Sequence, residues 1–388
     1  MQRASAGRVI STILRHDDKR TSYKIALLRS INDVVLNYPT LNAGGHDVAL
    51  PLSALAERWI AYYWPFVDAE RPIWQGSRYM RGGTLTNDIT FRPELSALHR
   101  LWVDAHGGAQ PADGFLLLDD MRVARKRASL SASIQAQYRK TRRKIARRAL
   151  PMPIRYAGPE EWTVFDRPAR FRQLKGRMRA LPGTSPDAKC LVVSADLWDT
   201  FRRLSLWIEA LCIHEWCLFT ETVDQPDAGV DRGTVYTLLT ARPDSRVALT
   251  WERNHINVLM MEGHVFTCPW SEKKLRAGSD YAVDHLVPLA VYPINELWNL
   301  VPTDPAFNSN KKRDRLPTPD RLQTARPHLT DAYAHYTQQS DLAAALRNDV
   351  ATRFSDADLH GDSFPASVTH ATARFITQVA QARNWARF

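Results

Sequence analysis

The sequence predicts an α+β protein that is mostly helical, with one short ββα unit set into a helix-rich chain. Three observations carry this. Apolar residues recur at helical spacing through most of the 388 residues. Strand-like runs are few and short. The stretch YAVDHLVPLAVYPINELWNLVPTDPAFNSNKKRDRLP, Tyr281 to Pro317, reads as two strands with turns, followed by a helix start.

Composition sets the frame. A hydrophobic share of 44% and a charged share of 24% are those of a globular protein, with enough length for several domains. No apolar run approaches the roughly 20 residues of a membrane span. In MQRASAGRVISTILRHDDKR the apolar run Val9 to Leu14 is too short for a secretory core, so a cytoplasmic protein without membrane contact is expected. Cys190, Cys212, Cys217 and Cys268 make no disulfide framework. Cys212, His214 and Cys217, within WIEALCIHEWCLF, have the wrong spacing for zinc and read as buried side chains of an apolar helix.

In chain order, Thr21-Ser22 caps a helix with Ile25, Leu28, Ile31, Val35 and Tyr38 on one face, ending at Pro39. LNAGGHD is a loop. Pro51 starts a helix carrying Leu52, Leu55, Ala56, Trp59, Ile60 and Tyr63, stopped by Pro65. A glycine-bearing loop leads to a helix from about Pro93. Ile134, Tyr138, Thr141 and Ile145 recur at helical period in a long basic amphipathic helix. From PIRYAG through WTVFD to CLVVSADLW, short runs between turn residues suggest strands or an irregular connector. Helical segments follow at Trp198 to Val223, near Val235 to Leu239, and at Arg246 to Met261. Two more close the chain, around Asp331 to Phe354 and Pro365 to Arg387. The segments group as 1–150, helical and ending in the basic helix; 151–260, mixed; 261–320, the ββα unit; and 321–388, helical.

The net charge of +11 is concentrated. Arg122, Arg125, Lys126, Arg127, Arg139, Lys140, Arg142, Arg143, Lys144, Arg147 and Arg148 fall in a stretch with no acidic residue between Asp120 and Glu160. A charge run usually mixes signs to limit repulsion. This one does not, and Arg139, Lys140, Arg142, Arg143, Lys144, Arg147 and Arg148 are candidates for nucleic-acid phosphate contact.

In the ββα stretch, Ala282 to Leu286 is a strand delivering Asp284 and His285 on opposite faces. A loop through Pro288 and Pro293 returns the chain, NLVPT (Asn299 to Thr303) is the second strand, and Asp304-Pro305 starts a helix reaching Lys312. Asn308 lies on its first turn and Lys311 one turn on, on the same side.

Asp284-His285, Asn299-Leu300 and Asn308-Ser309-Asn310-Lys311 resemble the DH, NL and N-x-x-K elements of HNH endonucleases, in the form that ends with Asn. The match spans Phe266 to Pro317. The resemblance implies a catalytic base at His285 and one divalent cation, Mg2+ or Mn2+, on Asp284 and Asn308. It also implies a supporting role in the catalytic loop for Asn299, which is not a ligand, and phosphate contacts by Lys311 and Arg313. Phosphodiester hydrolysis needs such a base and positive charge near the phosphorane. Many relatives brace this unit with a zinc on two Cys-x-x-Cys knuckles. Here the first reads Cys268-Pro269-Trp270-Ser271, and Asp304 and Phe307 stand at the second. No structural zinc is expected, with Trp270, Trp298, Leu300 and Phe307 packing the unit instead.

SYKIALLRSINDVV, RWIAYYWPF, and CPWS with ELWNLVP resemble a bacterial group of stand-alone HNH proteins that accompany anti-phage or restriction systems, among them Zorya-type defence. The expected function is therefore metal-dependent cleavage of duplex DNA, phage or plasmid, nicking as a monomer, with defence-system proteins as possible partners. The alternatives are a catalytically silent DNA-binding subunit and an RNA-cleaving nuclease.

Overall fold

The computed structural model describes all residues except 1–5, 39–40, 42–44, 78, 82–83, 87, 226–229, 242–248, 290, 292–293 and 355–356. The protein is mostly helical, 60% helix against 9% strand, with small sheets. It divides into two compact units. The first comprises Met1–Met121 and Ala128–Arg242; the second comprises Arg122–Arg127 and Pro243–Phe388.

In the first unit the Tyr23–Asn37 helix is central. Its sequence predicts a single apolar face, but nearly every residue is buried, Arg29, Asn32 and Asp33 among them. Much of this polarity is paired internally: Arg29 Nη2 donates to the Leu239 carbonyl at 2.9 Å and its guanidinium lies over the Tyr62 ring, while Tyr62 Oη donates to Asp33 at 2.6 Å; Arg29 Nε and Asn32 Oδ1 are buried without a hydrogen bond among the described residues. That pairing makes their burial tolerable. Ser22 holds the N-cap position, yet its hydroxyl bonds Tyr63 Oη, not the helix backbone.

Pro51 ends a strand, Asp47–Pro51, and the helix begins one residue later as Leu52–Tyr63. That strand pairs antiparallel with Lys189–Val193 and parallel with Met178–Ala180; Ala169–Arg170 adds to the far edge of Lys189–Val193. Of the strand-like runs in the connector, CLVV is a strand. PIRYAG is not, because Pro151 opens the short helix Pro151–Arg155. Ala195–Glu221 is one helix with a kink at Leu204, capped by Ser194. Residues 42–44 of the LNAGGHD loop and 82–83 of the glycine-bearing loop lie outside the described residues.

The basic segment is not one helix. Ala124–Ser129 is separate from Ala132–Lys144, whose N-cap Ser131 accepts from Ile134 N, and the latter widens into a π-turn at Ile145–Ala149. Ile134, Tyr138, Thr141 and Ile145 are buried, as their spacing predicts.

The second unit holds two small hairpins among helices. Phe266–Thr267 pairs with Lys274–Leu275, and Ala282–His285 pairs antiparallel with Leu300–Thr303. Among its helices are Thr250–Met261, Pro319–Gln338, Ser340–Arg353 and Phe364–Arg383. The helix expected over Asp331 to Phe354 is thus two helices, broken where Gln339 takes extended backbone angles. The first begins earlier than its apolar period indicates, because Thr318 caps it ahead of Pro319. The segment 246–248 lies outside the described residues.

Two tyrosines of the Pro319–Gln338 helix fix the larger hairpin. Tyr333 Oη donates to the Trp298 carbonyl at 2.5 Å and Tyr336 Oη to the Leu300 carbonyl at 2.9 Å. Trp298 packs edge-on against Phe354 and Phe375, while Trp270 and Phe307 both meet Phe388. Trp298 and Leu300 are fully buried, and Trp270 nearly so. This apolar packing surrounds the hairpin.

Candidate active site

The hairpin register sets Asp284 opposite Val301 and His285 opposite Leu300. After Thr303, Asp304 accepts from Ala306 N and Pro305 opens a helix of three residues, Pro305–Phe307. The helix then widens into a π-turn, Asn308–Lys312, closed by Arg313 N donating to the Asn308 carbonyl at 2.8 Å. Arg313 has φ 52°, a left-handed value that a side chain holds at a cost on the order of 1 kcal/mol. π-turns and strained residues both concentrate at functional sites.

Asp284, His285, Asn308 and Arg313 line one cleft of about 620 Å³. Lys312 and Arg253, neither picked out from sequence, line it too. Asp284 and His285 alternate on the strand, so their side chains find different partners. The Asp284 carboxylate meets the Lys312 ammonium, with Nζ 3.2 Å from Oδ1 and 3.0 Å from Oδ2. The same ammonium donates to the His285 carbonyl at 2.8 Å. The His285 ring turns to Asn295, with Nε2 at 2.7 Å from Oδ1. With the amide oxygen facing the ring, Nε2 carries the proton and Nδ1 keeps the lone pair.

Burial holds the His285 imidazole below its usual value; its hydrogen bond to Asn295 and the charge of Asp284 oppose this, while Lys312 and Lys126 add to it. The ring is thereby kept as a neutral base.

Asn299 is fully buried and does not line the cleft. Its Oδ1 accepts from Val287 N at 2.7 Å, and its Nδ2 donates to the carbonyls of Val287 at 3.1 Å and Ile294 at 2.8 Å. It holds together the two ends of the loop between the strands; Pro293 in that loop lies outside the described residues.

Asn295 is itself anchored. Its carbonyl accepts from Arg125 Nη2 at 2.9 Å. Arg125 also bonds Glu252 Oε1, at 2.8 Å from Nη2 and 3.0 Å from Nε, and Asp349 Oδ2 at 2.9 Å. Asp349 in turn accepts from Leu297 N at 2.8 Å. Next to it, Arg353 and Glu296 form a buried two-point ion pair. Burial raises the Glu296 carboxyl, but the Arg353 guanidinium outweighs it and holds the group below its ordinary range.

The expected lysine is displaced by one position. Lys311 is exposed with its ammonium over the Phe307 ring, whereas Lys312 is buried at Asp284. An α-helix would keep both i+3 and i+4 on the side of Asn308; the wider π-turn carries i+3 away and leaves i+4 there. Arg125 is a second departure: it belongs to the sequence's basic run, yet it is a largely enclosed member of this hydrogen-bond network.

Of the remaining basic candidates, all in the first unit, Arg139, Lys140, Arg143, Arg147 and Arg148 are exposed. Arg142 pairs with Glu57 at 2.7 Å and Lys144 with Glu94 at 3.3 Å. The run has no acids of its own, but neighbouring helices supply them.

A family model described as a domain of unknown function, DUF8808, matches residues 3–239, more than half of the chain. The chain belongs to the DUF8808 family. No curated protein and no solved structure matches it. The DUF8808 match covers the sheet and the basic helix and ends before the first residue of the cleft.

Proposed function

We propose that the cleft is the active centre of a metal-dependent endonuclease of the HNH type, hydrolysing DNA phosphodiester bonds. One observation carries the reading: Asp284, His285 and Asn308, from two different elements, line a single cleft beside an Asn299-braced loop.

The residues fit a hard cation. Asp284 Oδ2 is buried without a directed hydrogen bond, its charged neighbour being the Lys312 ammonium at 3.0 Å, and Asn308 lines the same cleft. Among the described residues no three His, Cys, Asp or Glu side chains converge. One carboxylate and one amide, completed by water and phosphate, is a Mg2+-type donor set. A divalent ion held there would supply positive charge to the scissile phosphate and the leaving oxygen.

The chain's own groups account for the rest. His285 Nδ1, free of the proton fixed on Nε2, takes a proton from the attacking water. Arg253 and Arg313 present guanidinium groups to phosphate oxygens from the wall of the cleft. The exposed Arg139, Lys140, Arg143, Arg147 and Arg148 contact the duplex backbone without reading sequence. A single cleft cuts one strand, so a monomer nicks.

Incubation with supercoiled plasmid and Mg2+ tests this. Nicked circles are expected from the wild type and none from His285→Ala; intact plasmid with both proteins sinks the reading. Digestion of DNA and RNA side by side distinguishes an RNA-cleaving enzyme. The anti-phage setting rests on the sequence resemblance; plaque counts on cells carrying wild-type or His285→Ala protein test it.

A further inference from the structure

The Asp284 carboxylate is not waiting empty. It is nine-tenths buried, and the partner it has is the ammonium of Lys312, itself 1% exposed. The pair is imperfect. Nζ makes a directed hydrogen bond to Oδ1 and to the His285 carbonyl, while Oδ2, although 3.0 Å away, receives none. A buried carboxylate needs a counter-charge. The π-turn supplies one by swinging Lys312 under Asn308, and the positive φ of Arg313 then turns the chain away.

We infer that Lys312 is the resident counter-ion of Asp284, and that a divalent ion loads the cleft by displacing the Lys312 ammonium from the carboxylate. This rests on the reading of the cleft as a metal centre. Two cations cannot share one buried carboxylate without strong mutual repulsion, so lysine and ion compete for it. The lysine thereby keeps the metal-free site neutral and folded, and it weakens ion binding. Lys311, one residue earlier and exposed, plays no part in the exchange.

Mn2+ binding to the full chain, followed by water-proton relaxation without nucleic acid, tests this. Lys312→Met is expected to bind Mn2+ at least roughly tenfold more tightly than the wild type, because a competing charge close to the ion is gone. Lys311→Met should bind as the wild type does, and Asp284→Asn should lose binding. In addition, Mn2+ should raise the melting temperature of Lys312→Met more than that of the wild type. A lysine with a merely structural role would leave affinity unchanged or lower it when removed, and either result overturns the inference. Should Lys312→Met fail to fold, Lys312→Gln, which keeps a donor to the His285 carbonyl, gives the same comparison. Mn2+ bound by none of the proteins overturns the metal-centre reading, and the inference with it; binding that is equal in wild type and variant overturns the inference alone.

Discussion

His285 Nε2 donates to Asn295 Oδ1 at 2.7 Å, and Asn295 is held in turn by the Arg125 guanidinium on its carbonyl. The imidazole is therefore oriented by the hairpin's own loop, which Arg125 anchors from outside the hairpin. Asn295→Ala should lower the plasmid-nicking rate by about tenfold to a hundredfold, the size of effect seen when a supporting partner of a site is lost. Far-UV circular dichroism should be unchanged. Wild-type turnover in Asn295→Ala would show that the ring needs no such holder.

Arg125 lies between two buried carboxylates, Glu252 and Asp349. Arg125→Met leaves both without their guanidinium and should destabilise the second unit by about 3–5 kcal/mol. Arg125→Lys should rescue little, because an ammonium cannot span Glu252, Asp349 and the Asn295 carbonyl at once. Urea denaturation gives the measurement. A loss no larger than that of an exposed arginine would contradict the network.

Asp349 makes stability depend on pH. Burial raises its carboxyl from the ordinary 3.8 to about 6, with Arg125 opposing and the charge of Glu296 adding. Its folded value lies above the unfolded one, so its contribution is fully present below 3.8 and is lost as pH rises through about 6. Between about pH 4 and about pH 7 the wild type should lose up to about 3 kcal/mol relative to Asp349→Asn. Denaturation at each pH reads the difference; a flat difference would mean an unshifted carboxyl.

Asn299 satisfies three backbone groups while fully buried. Asn299→Ala strips all three of partners and should cost about 3 kcal/mol. Faster amide exchange at Val287 should accompany the loss.

The basic helix separates two kinds of arginine. Replacing Arg139, Arg143, Arg147 and Arg148 with serine should weaken DNA binding for all sequences and flatten its salt dependence by about 0.9 in log–log slope per lost phosphate contact. Arg142→Ser should leave the slope unchanged, since Glu57 already holds that guanidinium. Equal effects from Arg142 and Arg147 would show that the ion pair opens on the DNA.

Much of the local structure was legible in the sequence. The spacing of Ile134, Tyr138, Thr141 and Ile145 marked the buried face of the basic helix, and all four are buried. The strands Ala282–His285 and Leu300–Thr303, and the helix start at Asp304-Pro305, follow from residue types a few positions apart, although Asn299, read as the first residue of the second strand, instead ends a 3-10 turn, Leu297–Asn299. The Tyr23–Asn37 helix was legible as a helix but not as a fully enclosed one. Its enclosure depends on Tyr62 and the Leu239 carbonyl, which are distant in sequence.

The sequence by itself determined a mostly helical chain, a hairpin presenting Asp284 and His285, and a helix presenting Asn308, because these rest on alternation, proline placement and capping within short segments. Only the tertiary structure decided that Lys312, and not Lys311, meets Asp284, since the width of a helical turn is set by what it packs against. It likewise decided that Arg125 supports the loop while Arg142 and Lys144 are neutralised. Each of those outcomes depends on carboxylates brought together from remote parts of the chain, and a carboxylate acts on a cation through distance in space.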